Sequence, residues 1–301
     1  MAEAQSRPRF TVINGGGGGG PAAELLRVLA EAGVPQEVLD GLDGVTDPDQ
    51  VIEHLAAAGV LPEPGDAVAG LISGFAPLTE RGIGALEAEI SAYEFLAAMR
   101  AAPHAPTGDD EIEMLIALAG QVETHGGPAA LAMLRLLAVT GPKRARPAAA
   151  QAADRMVAGG LRDRPWVKDL GRPVVGTPAF GYGDDLGSQE TVAVTFRYGR
   201  RDHAVAVLID HHLGGGVKDI WAASEPEVLR DGFRSASGQG GIVFRDYTPA
   251  EAAAILRRAL DRPACPEQPD QVADVEVFLD LLRGRVELLP PSPRADVRRL
   301  R

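Results

Sequence analysis

Ionisable side chains of three chemical types are concentrated in one short stretch of this 301-residue sequence: Asp210, His211, His212, Lys218 and Asp219. Carboxylate and imidazole groups together suit Zn²⁺ or Mn²⁺ as ligands. Three consecutive glycines at 214–216 separate the two halves of the stretch, and their small size would let a ligand approach the backbone. The stretch therefore combines possible metal ligands with a backbone that a ligand can reach.

The triplet Asp210-His211-His212 ends an apolar run and resembles the signature triplet of the DHH phosphoesterases. That resemblance implies a metal-dependent enzyme that hydrolyses phosphoester or pyrophosphate bonds. It covers only residues 208–212. The family also has an Asp-rich motif near the start of its catalytic domain, and a parallel sheet whose strands alternate with helices. Neither feature is visible in this sequence.

A β-hairpin is predicted to position the triplet. Residues 191–198 alternate between apolar and polar side chains, which is typical of a half-buried strand, and residues 204–209 are apolar throughout. A turn as short as 199–202 makes the two strands antiparallel. The pattern predicts one shared core: Val192, Val194, Phe196, Val205, Val207 and Ile209.

A metal site is the first interpretation of the polar residues around this hairpin. Because strand residues alternate between faces, Asp210 and His212 would share a site and serve as metal ligands, while His211 points away. The loop before the hairpin would add carboxylates. The complete candidate site is Asp184, Asp185, Asp210, His212, Lys218 and Asp219. The cofactor that it would require is a divalent metal.

Two other interpretations stay open. The glycines at 214–216 with Lys218 could form a nest of backbone N–H groups and an ammonium that holds a phosphate. Alternatively, the polar residues end a strand, cap a turn and face water. We favour this structural interpretation, because the sequence contains no second His-rich or Asp-rich motif with the spacing of metal ligands.

The whole chain reads as an α+β protein, with an all-helical first half followed by a small antiparallel sheet domain and C-terminal helices. Helical spacing bounded by Gly, Pro or capping residues predicts helices at 47–58, 84–101, 109–124, 127–139 and 147–158, and later at 248–261 and 270–283. Strands are predicted only after residue 172, apart from a short segment at 10–13. The expected parts are a flexible segment at 1–20, whose glycines 15–20 have no assigned role, a helical domain at 21–160, an α+β domain at 161–289 and a Pro/Arg-rich tail at 290–301.

Charge restricts the partners of this chain. The net charge is −12, and residues 1–100 carry 15 acidic against 5 basic residues. An acidic surface repels phosphate backbones and anionic lipids, so nucleic acid is an unfavourable partner for this half and membrane binding is not expected. A single cysteine and no apolar segment of membrane-spanning length are typical of a cytoplasmic protein. Abundant Ala, Gly, Arg and Asp are typical of GC-rich bacteria.

These observations favour a non-enzymatic interaction or regulatory protein, in which an acidic helical domain binds another protein and the α+β domain supplies a stable body. The alternative is a metal-dependent hydrolase that acts on a phosphoester and is centred on Asp210 and His212. The sequence identifies neither the substrate nor the partner.

Overall fold

The structure, a computed structural model, describes residues 34–42, 45, 48–60, 64–102, 105–237 and 241–291. The expectations for residues 1–20, for a strand at 10–13 and for most of the tail therefore lie outside the described residues. Contacts divide the chain into two compact units, Met1–Ala67 and Val68–Arg301. The predicted division between a helical domain at 21–160 and an α+β domain at 161–289 stays a prediction.

In the first unit, a short helix α1 (Gln36–Asp40) precedes α2 (Pro48–Ala57). Leu42, Val51 and Leu55 form a small apolar cluster. The imidazole Nε2 of His54 lies 3.2 Å from the carbonyl oxygen of Val38. Helix α3 (Pro64–Ser73) begins just before the division between the units.

The second unit continues as a helical layer. Its helices are α4 (Ala85–Ala101), α5 (Asp109–His125), α6 (Pro128–Thr140) and α7 (Arg146–Ala158), with single turns of 3₁₀ helix at Ala76–Thr79 and Pro165–Lys168. Helix α6 is apolar on nearly all sides and buries the segment from Ala130 to Leu137 except Arg135. A helix of this kind belongs at the centre of a layer. The four predicted helices between residues 84 and 158 are confirmed to within one residue at each end.

Five strands among the described residues form one antiparallel sheet in the order β4-β3-β2-β1-β5. They are β1 (Val174–Asp184), β2 (Gln189–Tyr198), β3 (Arg201–Asp210), β4 (Gly216–Ala223) and β5 (Ile242–Tyr247). Helix α8 (Pro226–Ala236) connects β4 to β5, and helices α9 (Pro249–Leu260) and α10 (Pro269–Leu288) follow the sheet. The α+β class is confirmed, and every described strand lies after residue 172.

The sheet is covered on both faces. Val192, Val194, Phe196, Val205, Val207 and Ile209 face helices α9 and α10 and are buried. Phe180, Ala193 and Ala206 face α8 and pack on Phe233. The predicted pairing of β2 with β3 is confirmed, with Val194 opposite Val205.

Strand β4 was not predicted from the sequence. A β-bulge explains the error. Ile209 pairs with Val217 but Leu208 pairs with Asp219, so Lys218 is the extra residue and the alternation of apolar side chains breaks there. Val217 and Ile220 consequently face the same core although three positions separate them. Among the described helices, none is both long enough and apolar enough to cross a membrane.

Candidate functional site

Asp210 is the last residue of β3, and its carboxylate is fully occupied inside the protein. One oxygen, Oδ1, accepts the backbone N–H groups of His212 and Leu213 at 3.0 and 3.1 Å. The other oxygen, Oδ2, accepts Gln189 Nε2 at 2.6 Å and Lys218 Nζ at 3.0 Å. A carboxylate offers about four lone-pair positions. Asp210 therefore organises the β3–β4 turn and presents no free oxygen to a metal ion.

The bonds around Asp210 belong to a longer chain of polar contacts, which we call the sheet-end network: Asp184, Gln189, Asp210, Lys218 and Glu267. Asp184 accepts the N–H of Gln189 at 2.6 Å and that of Ser188 at 2.9 Å, which closes the β1–β2 turn. Lys218 is 8% exposed and also binds Glu267 at 2.5 Å. The network ties two turns and the start of α10 to one end of the sheet.

Electrostatics agree with this structural role. Burial opposes ionisation of Asp210, but hydrogen bonds from Lys218, the Leu213 N–H and Gln189 outweigh it and lower the pKa of Asp210 to about 2. Hydrogen bonds to Glu267 and Asp210 raise the pKa of Lys218 above its ordinary value. Each group is held in its charged form by the other.

The other predicted site residues do not converge on Asp210. The strand ends at Asp210, so the alternation that would have brought the His212 side chain beside it stops there, and His212 contributes its backbone while its side chain is exposed. His211 instead bonds Glu190 at 2.9 Å. Asp185 is exposed and donates its backbone N–H to Gly241.

Asp219 accepts the N–H of Ile220 at 2.8 Å. Burial raises the pKa of Asp219, and the nearby charge of Asp270 raises it further. In the part of the chain that the structure describes, no group of three or more His, Cys, Asp or Glu side chains is placed to hold a metal ion. The ammonium of Lys218 is turned into the sheet-end network, so the predicted phosphate nest at 214–216 does not receive it.

A second polar cluster lies between the helical layer and the sheet and was not predicted. Glu89 on α4, Tyr198 on β2 and Arg285 on α10 are each at most 4% exposed. We call these three residues the buried clamp. Arg285 donates to Glu89, and the Tyr198 hydroxyl donates to Glu89 at 2.7 Å and accepts from Arg285 at 3.0 Å. The clamp joins three elements that are distant in the sequence.

The sequence shows that Glu89 and Arg285 stand on apolar helix faces, but it does not show that they contact each other. Glu89 interrupts the apolar stripe of α4, which includes Ala85, Ala88 and Ala92, and Arg285 interrupts the stripe of α10 between Leu281 and Val286. A charge on the buried face of a helix implies a buried partner. The partner's identity depends on tertiary packing.

Beside the clamp, an open cleft separates the amino end of α4 from the β2–β3 turn. This interlayer cleft has a volume of about 740 Å³ and includes Gly84, Glu87, Trp166, Lys168, Arg200 and Arg201 in its walls. Its walls also include Tyr198 and His203, both from the sheet. The exposed rim carries both signs of charge, whereas the indole of Trp166 is buried and donates to the Leu78 carbonyl oxygen at 3.0 Å.

His203 is the least satisfied polar group of this cleft. Its ring stacks between Phe196 and Tyr198, with centroid distances of 5.9 and 5.2 Å. Burial, reinforced by the positive charge of Arg285, lowers the pKa of His203 to about 3, so the ring is neutral. Its Nε2 is buried and has no hydrogen-bond partner among the described residues. Most buried polar atoms in proteins have a hydrogen-bond partner, so this nitrogen is an exception.

No protein-family model matches the chain, and neither a curated protein nor a solved structure shows significant similarity to it. The antiparallel sheet differs from the parallel sheet that a DHH phosphoesterase would have.

Proposed function

We propose that this protein is a non-enzymatic interaction protein that binds a segment of another protein in the interlayer cleft. The main support for the proposal is that the Asp210 carboxylate is bound by other groups of the protein. Its four hydrogen bonds occupy the carboxylate on which the alternative, a metal-dependent phosphoester hydrolase, would be centred. A metal would have to displace Lys218 and break the β3–β4 turn.

The cleft supplies features suited to a polypeptide ligand. Its volume of about 740 Å³ lies within the range of roughly 300–1,000 Å³ for pockets that hold drug-sized molecules, which is room for a few side chains of a bound segment. Lys168 and Arg200 on the rim can pair with acidic side chains. Arg201 lies 3.9 Å from Glu87 in a long, exposed ion pair that a partner's charged side chain could replace.

Metal analysis separates the proposal from the hydrolase. Untagged wild-type protein and Asp210→Asn should both contain far less than one metal ion per chain after dialysis. Stoichiometric zinc or manganese in the wild type, lost in Asp210→Asn while the variant stays folded, would contradict the proposal.

Charge reversal tests the cleft. Proteins captured from an extract of the source cells by the wild type should be identified, purified and titrated against the Arg200→Glu/Arg201→Glu variant. We expect the Kd for at least one partner to rise tenfold or more, because two rim cations become anions. Lys143→Glu reverses an exposed cation outside the cleft; it is the control for position and should leave the Kd unchanged. Equal affinity of every partner for all three proteins would place the interface elsewhere.

A further inference from the structure

A smaller cavity lies near the end of β3, and its walls include neither Asp210 nor Lys218. This arginine pocket, of about 290 Å³, lies between the end of β3 and the end of α9. The residues that matter for its chemistry are Glu190, His211, Gly214, Arg258 and Arg262. We infer that this pocket binds a small phosphate group, either free phosphate or that of a short phosphomonoester.

Its two guanidinium groups carry charge that no carboxylate neutralises. Arg262 donates to the carbonyl oxygen of Gly214 at 2.5 Å, and the Nε of Arg258 makes a long bond of 3.3 Å to the Ala254 carbonyl oxygen. Within the described ranges, these two side chains bond backbone carbonyl oxygens and form no ion pair. Each guanidinium has five N–H donors. Most of these donors are therefore available to a ligand.

The single acid of the pocket is already engaged. Glu190 lies 2.9 Å from the Nε2 of His211, and its side chain is 18% exposed. The pocket thus combines two unpaired cations with one carboxylate that already has a partner. This balance of charge favours the binding of an anion. Arg258 lies in the last turn of α9 and Arg262 two residues beyond its end, and both line the pocket. Guanidinium N–H groups are well suited to the oxygens of phosphate.

Space also limits the ligand. Gly214 has a φ of +101°, and nothing lies within 4 Å of the position that a Cβ would take there. A ligand can consequently approach this backbone where a larger side chain would stand. The volume falls just below the range of about 300–1,000 Å³ for pockets that hold drug-sized molecules. This volume predicts a ligand of the size of phosphate or of a phosphate with a short carbon chain.

Arginines at the end of a helix also interact favourably with its dipole, so a purely structural role must be distinguished from binding. Calorimetric titrations of the full chain with inorganic phosphate and with glycerol phosphate would do this. We expect saturable binding by the wild type and at least tenfold weaker binding by Arg258→Gln. Glu190→Gln should bind several-fold tighter, because it removes the only negative side chain of the pocket and keeps an oxygen for His211. A helix-stabilising role would not produce that gain.

Arg283→Gln, which changes an exposed arginine outside the pocket, is the control and should bind like the wild type. Thermal unfolding of each variant would show that the fold is retained. Tighter binding of glycerol phosphate than of phosphate would identify an ester as the ligand, and equal binding would identify phosphate itself. Absence of saturable binding to the wild type, or undiminished binding to folded Arg258→Gln, would overturn the inference. Neither result bears on the interlayer cleft, which is a separate surface.

Discussion

Asp210 and His203 show how one sheet handles two buried titratable groups. Asp210 is 3% exposed and keeps its charge because an ammonium, an amide and two backbone N–H groups bind it. His203 is 2% exposed and loses its charge because aromatic rings and Arg285 surround it. The difference lies in the partners, since burial alone disfavours the charged form of both.

Replacing Asp210 by asparagine should destabilise the fold by about 3 kcal/mol, because one member of a buried ion pair is removed and an amide NH₂ then opposes the donors of Gln189 and Lys218. Urea unfolding monitored by circular dichroism measures the loss. Asp185→Asn, at an exposed aspartate next to the same sheet end, should change stability by less than about 0.5 kcal/mol. A fully stable Asp210→Asn protein would mean that the carboxylate is free for another role.

Replacing His203 by phenylalanine should flatten the dependence of stability on pH. The pKa of His203 falls from its ordinary value of 6.5 to about 3 on folding, so the unfolded chain binds one proton more between these values. Stability is therefore lost as pH falls below 6.5, by up to about 1.4 kcal/mol per pH unit.

Phenylalanine keeps the stacking on Phe196 and Tyr198 and removes this proton. Urea titrations of both proteins at several values between pH 6.5 and 4 give the comparison, because other titrating groups contribute equally to each. Parallel profiles would show that His203 is not buried as a neutral ring.

At the scale of elements, the β2–β3 hairpin is the part of the sheet that the sequence predicts most completely. Its alternation survives folding because one face meets α9 and α10 along its whole length. Strand β4 escaped prediction because the bulge at Lys218 shifts the alternation by one residue, and glycines precede it. The local sequence pattern does not show this shift, because pairing with β3 determines it.

The same limit explains the candidate site. The sequence places Asp210 at a strand end and favours a structural role for the polar residues there, but it gives no reason to choose Gln189 or Glu267 as partners. Those contacts depend on pairing register and on the position of α10. The buried clamp and the arginine pocket depend on packing between elements and are equally invisible to a local pattern.

Truncating Phe196 to alanine should cost about 3–5 kcal/mol, because the ring is 1% exposed and lies in the core between β2, β3 and the C-terminal helices. Thermal and urea unfolding would report this loss. Val174→Ala, at a residue that is 64% exposed on β1, is a control that should have little effect. Unchanged stability of Phe196→Ala would show that the hairpin faces the wrong way.

For the whole molecule, the buried clamp is a fully buried contact between the helical layer, the sheet and helix α10. Glu89 and Arg285 each lack another partner of opposite charge among the described residues. A separate fragment of residues 21–160 would lack Arg285, so its Glu89 would have no cation to pair with. The predicted domain division can therefore be examined through this pair.

Glu89→Ala and Arg285→Ala should each destabilise the protein by about 3–5 kcal/mol, because each leaves the other charge buried and unpaired. The double variant should lose less than the sum, with a coupling of about 0.5–3 kcal/mol. Denaturant unfolding of the four proteins gives the cycle. The exposed pair Glu123 and Arg155 provides a matched cycle whose coupling should not exceed about 1 kcal/mol. Strict additivity at Glu89 and Arg285 would refute the clamp.

Glu89 and Arg285 are far apart in the sequence, so they are synthesised at different times. Glu89 leaves the ribosome 196 residues before Arg285. At about 5–20 residues per second, that interval is roughly 10–40 s. Throughout it, the inward face of α4 carries an acid without its cation, so the helical layer cannot close on a completed interior. A product that stops before α10 would keep Glu89 without its cation, and we expect it to be degraded faster than the full chain.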